Sequence, residues 1–167
     1  ADQRTMEELL QSLSRGLLTR IGRRVFVKWL QGVPLFMGCS EPFLLQLATT
    51  CRLWTFSAGA FVTRVGEPSS FLVVLRSGSV QIRDADNEEV DRAEEKGTAF
   101  CDISCMFNLR HKTSLVCEEE SQLIKLRAED LNFALKLHPK DQELINGNVV
   151  KLIPETSDLN GQGNENH

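Results

Sequence analysis

The sequence predicts an α+β fold: an eight-stranded antiparallel β-roll, jelly-roll-like, flanked by N-terminal linker helices and C-terminal helices. Three observations lead there. Apolar residues recur at helical spacing before residue 32. Between Arg52 and Arg127, short runs rich in Val, Phe, Leu and Thr alternate with Gly, Ser, Pro or charged turns. Helical spacing then returns over 128–153. The chain has 167 residues, 41% of them hydrophobic, enough for a single core.

Residues 4–31 read as helix. Leu17, Leu18, Ile21, Val25 and Trp29 form an apolar face, with Arg20, Arg23, Arg24 and Lys28 largely opposite. Gly16 and Gly22 lower helicity, so a break is expected near Ser14-Arg15-Gly16. The basic face suits acidic lipid or a partner subunit, although a solvated face is the simpler reading. Gly32 and Pro34 end this segment. Ser40 is a good N-cap for a helix over 41–51, with Glu41 and Pro42 in its first turn and Phe43, Leu44, Leu47 and Ala48 inward.

The expected strands are 52–57, 60–65, 70–76, 79–83, 89–93, 98–101, 112–117 and 121–127. The stretch 84–95 carries Asp84, Asp86, Glu88, Glu89, Asp91, Glu94 and Glu95, too acidic for a core and suited to an exposed hairpin. Residues 128–137 return to helix through Leu131, Ala134, Leu135 and Leu137. Pro139 opens a further helix over 140–153, interrupted at Gly147. The Asn-, Gly- and Glu-rich stretch 154–167 reads as a disordered tail. The division is thus 1–32 linker helices, 33–153 the β-roll domain, and 154–167 the tail.

Nineteen basic and 23 acidic side chains give a formal charge of −4, which argues against a nucleic-acid partner held by phosphate neutralisation. No apolar run approaches the roughly 20 residues that span a bilayer. Five cysteines, 39, 51, 101, 105 and 117, are irregularly spaced and read as buried free thiols of a reducing compartment. Cys101, Cys105 and His111 lack a fourth ligand at zinc-site spacing, so no metal is expected. No nucleophile elbow or phosphate-loop signature is present, and the sequence does not read as an enzyme.

Gly59, Gly66 and Gly78 each stand where a strand must turn, which calls for positive φ. The run from Gly66-Glu67 through Phe71–Leu75 to Gly78-Ser79-Val80 resembles the cyclic nucleotide-binding domain family, with its Gly-Glu, apolar strand and Gly-x-Val. Ala58-Gly59 is similar to that family's Pro-Gly turn. Gly97-Thr98-Ala99-Phe100 is similar to the Gly-x-x-Phe that precedes its phosphate-binding cassette. The resemblance covers Val33 to about Ile153. Residues 17–36, ending Val33-Pro34-Leu35-Phe36, look like the linker helices of its ion-channel members.

The resemblance implies a cassette helix whose N–H groups meet a cyclic phosphate, a glycine for close approach, a glutamate for the ribose and an arginine for the phosphate. Here the family's Phe-Gly-Glu, followed by Ile or Leu and then Ala or Ser, becomes Phe100-Cys101-Asp102-Ile103-Ser104. Counting back from Leu123 without a gap puts His111 in the arginine's place. One deletion puts Lys112 there, followed by Thr113, and Arg110 lies one residue further off. Two functional readings follow. In one, Asp102 holds ribose, Ser104 and adjacent amides hold the phosphate of cyclic AMP or cyclic GMP, and Lys112 or Arg110 supplies charge. Loss of a bidentate arginine then costs roughly 1.5–3 kcal/mol, one to two decades of affinity. In the other, the site is degenerate and the domain serves assembly or protein–protein coupling. The resemblance further implies that the last helix closes over the purine through Leu144, Ile145, Val149 or Leu152. It also implies a place on the cytoplasmic side of a channel or transporter, a membrane domain as partner, homo-tetramerisation, and no cofactor beyond the nucleotide ligand.

Overall fold

The computed structural model describes residues 15–160. Helix α1 (Arg15–Gln31) leads through a 3-10 turn (Pro34–Phe36) into α2 (Glu41–Thr50). Eight strands follow among the described residues: β1 (Arg52–Phe56), β2 (Phe61–Thr63), β3 (Phe71–Ser77), β4 (Val80–Arg83), β5 (Glu89–Ala93), β6 (Ala99–Phe100), β7 (Ser114–Cys117) and β8 (Ser121–Arg127). A short helix α3 (Asp102–Met106) lies between β6 and β7, and α4 (Ala128–Leu137) and α5 (Pro139–Asn160) follow the last strand. Each strand lies within two residues of its expected ends.

The strands form two antiparallel four-stranded sheets, ordered β1-β8-β3-β6 and β2-β7-β4-β5. Period-two alternation divides their side chains between two cores. Phe71, Val73 and Leu75 of β3 and Leu123 of β8 pack between the sheets with Val62, Val80, Leu115 and Cys117. Leu72, Val74, Ile124 and Leu126 face the other way, onto the helices. Gly78 makes the tight turn from β3 to β4 at φ +98°, where a Cβ would run into Ser121. The acidic β4–β5 hairpin is exposed at the sheet edge, as its composition required.

Ser40 caps α2, its Oγ accepting from Phe43 N at 3.4 Å, and Phe43, Leu44, Leu47 and Ala48 are buried. Two expectations are corrected, the apolar face of α1 and the interruption of the last helix at Gly147. The expected break near Ser14-Arg15-Gly16 falls at the edge of the described residues, where α1 begins at Arg15 and then runs on through Gly22; residues 4–14 lie outside them. Among the α1 side chains that are described, from Arg23 on, Val27 and Leu30 form the buried face, with Phe26 and Trp29 partly covered, while Val25 is 44% exposed; the side chains of Leu17, Leu18 and Ile21 of the expected face lie outside the described ones. Hydrophobic spacing alone left the phase of that helix open, and its packing against α2 set it. Leu137 is exposed at the end of α4. Helix α5 is continuous through Gly147 and Pro154 as far as Asn160; residues 161–167 lie outside the described part.

Candidate functional site: the cassette between β6 and β7

Cys101 takes left-handed backbone angles, φ 66° and ψ 15°, before the first turn of α3. A residue with a Cβ pays for this conformation, and glycine does not. The chain therefore keeps a glycine's backbone shape at the position where the resemblance expects one. The loop after α3 is fastened to the β2–β3 turn. Ser69 N donates to Leu109 O and His111 N to Glu67 O, both at 2.9 Å, while Gly66 N donates to His111 O at 2.8 Å. The hydroxyls of Ser69 and Ser104 lie 2.9 Å apart, joining the turn to the helix.

The three basic candidates take different directions. Arg110 is exposed and its Nη1 donates to Gly66 O at 2.7 Å. Lys112 is exposed, and Thr113 half-buried beside it. His111 turns inward and is 7% exposed. Its Nδ1 lies 3.7 Å from Cys101 Sγ, and its ring sits 6.4 Å from that of Phe71. Burial lowers the pKa of His111, partly offset by Glu67. Burial, with Asp102 next to it, pushes the Cys101 thiol up to about 12. At neutral pH a neutral ring faces a protonated thiol.

Asp102 begins α3, and burial raises its carboxyl above the usual range; the backbone N–H groups of Ile103 and Asp102 offset this in part. Ile103 and Ser104 are half-buried, and Ser104 Oγ also donates to Cys101 O at 3.2 Å. Phe100 packs into the inter-sheet core. Cys105, which the sequence set beside Cys101 and His111, is buried in the helical core instead, packed with the other cluster. The cassette thus gathers Phe100–Ser104 and His111, and leaves Arg110 and Lys112 on the surface.

The structure adds Lys125, which sequence reasoning passed over. It pairs in register with Arg52 and Val73 on the inner face of its sheet. Its Nζ lies 3.8 Å from the Trp54 ring centroid and 5.1 Å from that of Phe71. A lysine between Ile124 and Leu126 in an alternating strand was the available signal, since it must face the same side as Leu123.

The residues expected to cover a purine do other work. Ile145 and Val149 are buried against the N-terminal helices, Leu152 packs beside them, and Leu144 is 39% exposed. Asn148 Nδ2 donates to Leu35 O and Met37 O, each at 2.9 Å. Asp141 accepts from Ser40 N and Ser40 Oγ, each at 2.7 Å. These contacts tie α5 to the segment that follows α1.

Comparisons with known proteins agree with this architecture. Among solved structures, the regulatory subunit of a cAMP-independent protein kinase A from Trypanosoma brucei superposes with a TM-score of 0.64 at 21% identity, over 84% of this chain and 47% of that one. The sensor domain of the transcriptional regulator DNR from Pseudomonas aeruginosa gives 0.65 at 22% identity, over 81% and 93%. Among curated sequences, a cyclic nucleotide-gated channel of Caenorhabditis elegans is 24% identical over 83% of this chain and 20% of its own length. Potassium channel KAT2 of Arabidopsis thaliana is 27% identical over 86% of this chain and 21% of its own. The chain thus spans about a fifth of these relatives. The family model of the cyclic nucleotide-binding domain matches residues 53–138, half of the chain, from β1 to the end of α4, and the chain belongs to that family.

Proposed function

We propose that this domain is a regulatory coupling module on the cytoplasmic side of a channel-type membrane protein. It passes conformational change between α5 and the linker helix α1 without a tightly held cyclic nucleotide. The observation that carries this reading is His111. A buried ring with a lowered pKa stands in the arginine's place, 3.7 Å from a protonated thiol. A cyclic phosphate entering there meets a neutral ring in place of a guanidinium fork, Arg110 being turned to Gly66 O, and the Asp102 carboxylate adds repulsion. The route from α5 to α1 is supported by direct bonds, Asp141 to Ser40 and Asn148 to Leu35 and Met37. The channel setting is supported by the two channel relatives, each a much longer protein.

The second reading is a working sensor for cyclic AMP or cyclic GMP. It is favoured by the left-handed backbone of Cys101, which preserves the cassette's shape. Calorimetric titration with both nucleotides separates the two. The wild-type chain is expected to show no saturable binding below about 1 mM. Cys101→Gly combined with His111→Arg restores the approach and the fork, and should tighten binding by about one to two decades. Saturable micromolar binding by the wild type would overturn the coupling-only reading in favour of the sensor.

A further inference from the structure

The sheet face that carries Lys125 ends in a row of three cations. Arg52 of β1 and Lys125 of β8 are cross-strand partners, and Arg127 lies two residues further along β8 on the same face. Like charges directly opposite one another destabilise a strand pair. The whole chain has a formal charge of −4, so the row is not a by-product of a basic composition.

The three cations are held in different ways. Arg127 is steered by Asp130, whose carboxylate accepts from Nε at 2.8 Å and from Nη2 at 3.2 Å, leaving Nη1 with Glu129 at 3.9 Å. Arg52 Nη1 donates to the carbonyls of Thr49 and Cys51, at 3.2 and 2.9 Å. Lys125 is half-buried, and its Nζ meets the ring faces of Trp54 and Phe71. Among the described residues, no carboxylate lies within ion-pair distance of Arg52 or Lys125. Burial and the charge of Arg127 both lower the Lys125 pKa, as expected of an ammonium without a counter-charge.

Space for a counter-charge lies on both sides of Lys125 and Arg127. The two side chains line a hollow of about 440 Å³ beside α3, with Ser70, Asn108 and Asn132. They also line one of about 250 Å³ beside β1, with Thr49, Thr50 and Arg52. Neither hollow is lined by Cys101, Asp102 or His111. A carboxylate offers two oxygens in one plane. A phosphate ester offers three around a tetrahedron and up to two charges, which suits one ammonium and two guanidinium groups.

We propose that Arg52, Lys125 and Arg127 form a phosphate-ester site separate from the cassette. The ligand's phosphate meets the three cations, and the rest of it lies in the larger hollow against Ser70, Asn108 and Asn132. The bound phosphate also removes the repulsion between Arg52 and Lys125, so binding stabilises the strand pair.

NMR titration of the whole 167-residue chain with inorganic pyrophosphate tests this, at low ionic strength where exposed charges are least screened. Saturable shifts are expected at Arg52, Trp54, Lys125 and Arg127, with half-saturation below about 1 mM. Lys125→Gln should weaken binding by about tenfold, and so, separately, should Arg52→Gln at an exposed position. Pyrophosphate should raise the thermal midpoint of the wild type and leave that of Lys125→Gln nearly unchanged. Two further arms distinguish the sources of the ester, and either supports the site. Saturable binding of glycerol 3-phosphate assigns it to a soluble ligand. Cosedimentation with phosphatidic acid vesicles that Lys125→Gln abolishes assigns it to a lipid headgroup. Failure to saturate by about 10 mM pyrophosphate overturns the proposal. Wild-type affinity in both variants does so too, as do shifts confined to residues 101–111. That last result would place the anion in the cassette and count against the coupling reading as well, whereas the other two leave that reading untouched.

Discussion

Where α5 joins the start of the domain, a buried carboxylate and a buried amide meet hydrogen-bond donors and acceptors that match them; in the cassette, burial instead desolvates Asp102, His111 and the Cys101 thiol. Asp141 is buried and accepts twice from Ser40, while Asn148 spans two carbonyls and Ile145 is wholly buried. Across the roll, Cys101 holds a strained backbone without a glycine, Asp102 is desolvated, and His111 is buried beside the Cys101 thiol with its pKa lowered. The two regions belong to one fold but carry different chemistry. The joint rests on its own side chains, so its hydrogen bonds do not depend on the chemistry of the cassette.

Breaking the joint should have the largest effect. Ile145→Ala empties a fully buried site and should cost about 3 kcal/mol, read from denaturant unfolding. Asp141→Ala removes the acceptor for Ser40 N and Oγ, and should cost about 2 kcal/mol in the same measurement. A loss below about 0.5 kcal/mol for either would mean the joint is not what holds α5.

The cassette should show itself in pH dependence. Burial depresses the His111 pKa in the folded state, so below about pH 6.5 the unfolded chain takes the proton more readily. Its contribution to stability is therefore complete above that pH and declines as pH falls through it. Thermal unfolding of His111→Gln should show a flatter profile between about pH 7 and 5 than the wild type. Asp102, with its pKa raised, contributes the opposite slope, nearer the carboxylate range. Equal slopes for wild type and His111→Gln would place the histidine in water. The smallest effect is expected from Cys101→Gly. Relief of the left-handed strain is offset by the greater freedom of glycine in the unfolded chain, leaving a net change within about 1 kcal/mol. A loss well beyond that would show that the thiol's packing, rather than the backbone shape, holds the cassette.

Much of the cassette was legible in the residues. The run Phe100–Ser104 marked the entry to the short helix, the uninterrupted count from Leu123 pointed to His111 among three basic candidates, and alternation in β8 contained the signal for Lys125. The packing partner of the residues expected to form a lid was open in the sequence for a physical reason. Ile145, Val149 and Leu152 form an apolar stripe, and a stripe states that something will cover it without naming what. The phase of α1 was missed likewise, since Val25 and Val27 are equally apolar and only α2 selects between them.

The sequence by itself determined the order of helices and strands, the turns at Gly59, Gly66 and Gly78, and the Cys101-Asp102 pair that opens the short cassette helix. These follow from local backbone preference, period and side-chain identity, all of which are written along the chain. Only the tertiary structure decided that Arg110 turns to Gly66 while His111 turns to Cys101, that Asp141 meets Ser40 across 101 residues, and that Arg23 Nε has no acceptor. Those outcomes depend on which surfaces meet when the roll closes and the helices dock. Contacts between distant residues leave no periodic trace in the sequence that makes them.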